Sequence, residues 1–310
     1  MTRSKSQKTL NYFKRYWTLY LLLLVPVIYL IVFKYSPMAN ILVAFKNYYI
    51  NRSVFDMPWA DHNGFGFFVK AFQNPDFINA IRNTFLLNIL DLVCGFPVPI
   101  ILALILNELR MMKFKRVTQT ILYMPHFLSW VIIASLSMQV FSTTGLVNDI
   151  IRAFGGEPVD FLKDPGLWAG TYIFLGIWQS MGWNTIIYLA AITGINPELY
   201  EAAAVDGAKR FRMMWHITLP GIRPTVVILL ILSLGRILGS DFERIYAQRN
   251  PLVTSVSDVI SVFVYNYGIR GTASQIPLGA AVGLFQSVVC VIFLVIVNAI
   301  AKRFGERGIL

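Results

Sequence analysis

The side chains best placed to do chemistry are polar groups that interrupt long apolar runs. Asn88 and Asp91 stand three residues apart in one run, and Asp91 is the acid that lies well inside such a stretch. At about 3.6 residues per helical turn the two share a face, and a carboxylate there has to meet water or a cation. In a second run Gln179, Ser180, Trp183 and Asn184 fall on one broad face at i, i+4 spacing, with Gly176 close by. Amides beside an aromatic ring suit a sugar, which offers C–H faces and many hydroxyls. Hydrogen bonding between neighbouring helices would use the same residues. Arg236 lies roughly 24 Å along a helix from Pro220. It could attract an anionic sugar such as a uronate, snorkel outward, or pair with Asp91. His126, which follows Pro125, reads as a packing residue. No nucleophile–base pair or metal-ligand spacing accompanies these groups, so no catalytic or metal site is expected.

The elements that must position these residues are membrane spans. The chain has 310 residues, of which 56% are hydrophobic and 14% charged, with mean hydropathy +0.60. That is too apolar for an ordinary soluble domain, where about a quarter of residues are charged. A bilayer core of about 30 Å needs about 20 apolar helical residues. Six stretches approach that length: 16–33, 77–107, 117–141, 167–192, 219–239 and 276–301. They make residues 16–301 a single transmembrane domain in an all-α polytopic chain. Pro26, Pro97, Pro99, Pro125, Gly176 and Gly182 interrupt several spans, as is tolerated where neighbouring helices satisfy the freed backbone groups. The first run lacks a small-residue cleavage site and reads as a retained span. Cys94 and Cys290 read as buried hydrophobes.

Basic residues then set the orientation. Arg3, Lys5, Lys8, Lys14 and Arg15 lie in the tail 1–15, and Arg110, Lys113, Lys115 and Arg116 join the second and third spans. Lys209, Arg210, Arg212 and Arg223 follow the fourth, and Lys302, Arg303 and Arg307 lie in the tail 302–310. The positive-inside rule places all of these, and hence both termini, in the cytoplasm. The formal net charge of +11 therefore marks a membrane face and requires no nucleic-acid partner.

One connection on that face, residues 193–218, is unlike the others. Asn196 suits a helix cap, Pro197 its first turn, and Glu198 and Glu201 its positive dipole end. Leu199, Tyr200, Ala202, Ala203 and Val205 supply a compact apolar surface, and Gly207 permits a sharp turn. A second helix through Phe211, Met214, Trp215 and Ile217 leads to Pro220. The pattern is a helix–Gly–helix knob shaped to dock into something.

Glu201-Ala202-Ala203, Gly207, Ile217 and Leu219-Pro220 fit the EAA loop of permease subunits of binding-protein-dependent ABC importers, and the chain resembles that family. The stretches 123–130 (YMPHFLSW), 183–191 and 258–268 resemble its carbohydrate branch, in subunits that import large oligosaccharides. The resemblance implies a type I importer permease fold in a bacterial cytoplasmic membrane. It implies a coupling loop, carried by Glu201, Ala202, Ala203, Gly207, Ile217, Leu219 and Pro220, that sits in a cleft of a separate ATPase. Two such ATPase subunits, a second and different permease, an extracytoplasmic binding protein and a carbohydrate would be its partners. ATP and magnesium would belong to the ATPases, because this chain carries no GxxxxGK[ST] phosphate loop and needs no cofactor of its own. The pathway candidates are Asn88, Asp91, Gln179, Trp183, Asn184 and Arg236. A nucleotide-independent secondary transporter or channel is the alternative, for which the docking loop has no evident use. On the outer face, Leu146, Val147, Ile150, Ile151 and Phe154 fit a short amphipathic helix at the membrane surface. Val259, Val262 and Phe263 suggest another such helix, and either could anchor in the interface or meet a binding protein.

Overall fold

The computed structural model describes residues 5–239 and 241–303, which are helical, with no strand among them. Four of its helices are long and apolar enough to cross a membrane, and up to six if each of two bent pairs counts as one span. The basic residues Arg3 and Arg307 lie outside the described residues.

The first span is longer than the apolar run suggests. Helix α1 (Lys5–Leu30) continues through a wide turn at Ile31–Tyr35 and a 3-10 segment at Ser36–Phe45, because apolar residues persist to Ala44. The 18 most apolar residues of this stretch contain no buried position, so the helix stands clear of the bundle. Only its end docks, through Ala44, against Ala281. The connection that follows is folded. The Lys46 ammonium donates to the Phe55 carbonyl at 2.8 Å and lies over the Trp59 ring, and α2 (Gly66–Gln73) packs Phe67 onto the same cluster.

Helices α3 (Pro75–Gly95) and α4 (Pro97–Glu108) form the second span. The third does not run unbroken over 117–141. It consists of α5 (Met112–Tyr123), a 3-10 turn at Met124–Phe127, and α6 (Trp130–Phe141). Pro125 cannot donate to the helical ladder, the backbone becomes extended at Leu128, and Ser129 caps a fresh start by accepting from the Ile132 amide. Helix α7 (Leu146–Ala153) follows, held by the buried side chain of Asn148, which bonds Ser142 and Val159. It leaves Leu146, Ile150 and Phe154 exposed.

Helix α8 (Pro165–Thr193, 29 residues) is the central element, packed on α3 and α4. It is long enough to span, although Gln179, Ser180 and Asn184 dilute its apolarity. At Gly182 a side chain would collide with the backbone of Leu122, so glycine sets the closeness of α8 to α5. Helices α9 (Pro197–Val205), α10 (Arg210–Met213) and α11 (Leu219–Gly221) form the loop and its return, and a 56° bend separates them from α12 (Arg223–Gly235). The helix ends at Gly235, four residues short of the expected limit of the fifth span.

The largest departure lies between the fifth and sixth spans. Helices α13 (Phe242–Gln248), α14 (Thr254–Ser257) and α15 (Ile260–Val264) fold into the bundle instead of lying on its surface, with a bend of 116° before α15. Val259, Val262 and Phe263 are 1%, 0% and 4% exposed, which overturns their reading as an interfacial helix. The cause is on α3. Asn83 donates to the carbonyls of Ser255 and Asp258, and the Thr84 hydroxyl accepts from the Ile260 amide at 2.9 Å. These bonds satisfy the backbone at the bend, where hydrocarbon would offer no partner. Helix α16 (Ile276–Arg303) closes the bundle against α12 and α15.

Candidate functional site

The polar residues flagged in the apolar runs separate into two groups. Asn88, Asp91, Ser180, Asn184 and Arg236 line one cavity of about 280 Å³ between α3, α8 and α12. Gln179 and Trp183 do not line it. Gln179 donates to the His126 carbonyl, and the Trp183 ring stacks on His126 with centroids 4.6 Å apart and planes 8° apart. These two residues hold the proline-broken turn between α5 and α6 against α8, so on this side the interhelical use prevails over the sugar platform. His126 packs as expected.

Within the cavity each polar group has its own situation. Asn88 donates to the carbonyls of Ile237 and Gly239 at 2.8 and 3.1 Å, where the chain leaves α12. Asp91 pairs with Arg244, not Arg236. The guanidinium grips both carboxylate oxygens at 2.9 and 3.1 Å and also donates to the Tyr172 carbonyl at 3.0 Å. It lies over the rings of Tyr172 and Trp130, 4.0 and 5.4 Å from their centroids. The Trp130 indole in turn donates to Asp241, whose other oxygen caps α13 at the Arg244 amide. Glycine makes this possible, because a side chain at Gly176 would occupy the space of the guanidinium. Arg236 is exposed into the cavity and makes no side-chain hydrogen bond or ion pair among the described residues.

Sequence reasoning missed Arg244. The demand for a cation beside Asp91 was visible, but Arg244 sits in a stretch that looked like an outer loop. Only the inward fold of α13 brings it 153 positions back along the chain to Asp91.

The loop is built from the opposite materials. Asn196 accepts from the Glu198 amide and so caps α9. At the other end Gly207 adopts φ +75°, with the Ala208 amide bonded to the Ala203 carbonyl and the Gly207 amide to that of Ala204. This is a Schellman stop, which favours glycine because L side chains strain at positive φ. The Tyr200 hydroxyl meets that of Thr218 at 3.0 Å, and Arg210 ties the return to the end of α4 through the Glu108 carbonyl. Ile217 and Leu219 turn inward, and Leu219 packs on the cluster around Ile192 and Ile222. Outward the loop shows Glu201, Ala202, Leu199, Val205, Phe211 and Trp215, with Val205 88% and Phe211 72% exposed. The loop thus spends most of its hydrogen bonds on its own shape and leaves these apolar side chains uncovered.

Comparison with known proteins agrees with this layout. A family model described as binding-protein-dependent transport system inner membrane component matches residues 63–306. The chain is 43% identical to Protein LplB of Bacillus subtilis, over 100% of this chain and 96% of that one. It is 44% identical to the polygalacturonan/rhamnogalacturonan transport system permease protein YteP of the same organism, over 94% of this chain and 89% of that one. Among solved structures, a subunit of a bacterial ABC transporter involved in the import of the acidic polysaccharide alginate superimposes with TM-score 0.86 at 40% identity. That match covers 96% of this chain and 99% of the other. The same comparison finds the alginate transporter in complex with an alginate pentasaccharide-bound periplasmic protein, at TM-score 0.85.

Proposed function

This chain belongs to the family of binding-protein-dependent transport system inner membrane components, and from that premise we propose that it forms half of the pathway of an ATP-driven importer of acidic oligosaccharides. The observation that carries the coupling is the exposed knob from Asn196 to Pro220, which displays unpaired apolar side chains on a self-sufficient scaffold. It docks into a cleft on a separate ATPase, two copies of which bind ATP and magnesium, and Glu201 faces that subunit. The orientation follows from the basic residues, with both termini cytoplasmic. The second permease that completes the pathway is a different chain.

The substrate assignment rests on the relatives, whose names specify polygalacturonan, rhamnogalacturonan and alginate, together with Arg236 in the cavity. A uronate-rich chain is polyanionic, and an uncompensated guanidinium binds carboxylates through charge-assisted hydrogen bonds. Reconstituting the permeases with their ATPase and binding protein tests both parts. Glu201→Ala is expected to lower ATP-dependent uptake at least tenfold while substrate-loaded binding protein still docks. Arg236→Gln is expected to depress uptake of an acidic oligosaccharide more than that of a neutral one. Equal depression of the two would discard the acidic assignment and leave the coupling intact.

A further inference from the structure

Four charged side chains meet near the cavity, and their arrangement determines its net charge. Asp91 and Arg236 line it, whereas Arg244 and Asp241 do not. Asp241 keeps its negative charge, because the Trp130 indole and the Arg244 amide that it accepts from are neutral donors, but it is exposed and is not part of the cavity lining. Arg244 is 11% exposed and grips both oxygens of Asp91, whose side chain is 37% exposed. Its further bond to the Tyr172 carbonyl and the space at Gly176 fix the guanidinium in place.

We infer that Arg244 is a specificity-determining residue that acts through Asp91: by pairing with that carboxylate it leaves Arg236, of the two charged residues lining the cavity, as the one without an ion-pair partner among the described residues, and makes the cavity prefer anionic solutes. This rests on the pathway reading given above. Without Arg244, the Asp91 carboxylate would face the cavity unopposed and cancel the field of Arg236. A unit charge within about 8 Å, at an effective dielectric constant of about 20, changes an ion's local concentration by on the order of tenfold or more.

The test uses the intact reconstituted transporter and a reporter thiol, Asn184→Cys, with Cys94 and Cys290 replaced by serine. Its reaction rates with an anionic (sulfonate) and a cationic (trimethylammonium) methanethiosulfonate give a ratio that tracks cavity charge. The parent is expected to favour the anionic reagent. Arg244→Gln should shift the ratio at least tenfold toward the cationic reagent, and the double variant Asp91→Asn/Arg244→Gln should restore it. Arg244→Lys, which keeps the charge but loses the two-pronged grip, should stay close to the parent. An unchanged ratio in Arg244→Gln, or no restoration in the double variant, overturns the assignment. Uptake of tetragalacturonate against its methyl-esterified form, with the same binding protein throughout, should follow the same order. If the thiol ratios move as stated while the uptake preference stays fixed, the charge assignment stands and the acidic-substrate reading falls.

Discussion

The knob of residues 196–220 and the polar centre around Asp91 solve opposite problems. In the knob, most devices that shape it are local, the exceptions being the tie from Arg210 to the Glu108 carbonyl and the packing of Leu219 on the Ile192 cluster. Asn196 caps one end of α9, Gly207 stops the other, and Tyr200 meets Thr218 within the same loop. What it leaves unsatisfied is apolar surface. In the polar centre the partners come from α3, α6, α8 and α13, and what they leave unsatisfied is one positive charge. An exposed loop of this kind can be shaped largely by a single stretch of chain. A charge balance inside a bundle cannot, because each residue depends on where distant helices come to rest.

That difference yields a ranked set of tests. Arg244→Ala carries the largest stability effect, because it strands the Asp91 carboxylate beside a cavity left by the guanidinium. Breaking one side of a buried pair costs about 3–5 kcal/mol, and with the Asp91 side chain 37% exposed solvent screening lowers this to about 1–3 kcal/mol, which thermal unfolding of the detergent-solubilised transporter would register as a fall in midpoint. Gly176→Leu comes next, since it evicts the same guanidinium without touching either charge, and a loss of stability near that of Arg244→Ala is expected. In the knob, Gly207→Val forces a β-branched residue into φ +75° and is expected to cost about 1–2 kcal/mol locally. Its effect should appear as weakened ATPase association with little change in thermal midpoint. Asn196→Ala should be smallest, about 1 kcal/mol of helix capping, visible as faster proteolysis of the loop. If the knob variants lowered the midpoint as much as Arg244→Ala, the two regions would not be energetically separate and the comparison would fail.

The same contrast explains how much could be read in advance. The all-helical, multi-span character of the chain and the caps of the knob rest on apolar run length, cap residues and glycine placement, all of which are local signals. For Asp91 the sequence offered Arg236 as one possible partner, and the structure supplies Arg244 instead. Arg244 lies beyond the fifth span, and only the inward fold of α13 against α3 and α8 brings it to Asp91. Of the two uses open to Trp183, sugar contact and packing between helices, the structure shows the second. Helical spacing put it on a face with Asn184, but the break at Pro125 brings His126 up beneath its ring, and stacking takes the place of a ligand. The burial of Val259, Val262 and Phe263 was hidden because a short amphipathic stretch looks alike whether its apolar face meets lipid or a core.

The claim on which the rest depends is that the knob delivers the work of a separate ATPase to this chain. The direct measurement is ATP hydrolysis and substrate uptake in the same proteoliposomes, comparing the parent transporter with Glu201→Ala and with Phe211→Ser, in which an exposed ring of the knob is removed. Uptake is expected to fall at least tenfold in each, with hydrolysis no longer stimulated by substrate-loaded binding protein and the permease still folded by thermal midpoint. Full uptake with stimulated hydrolysis in both variants would contradict the coupling role of the loop.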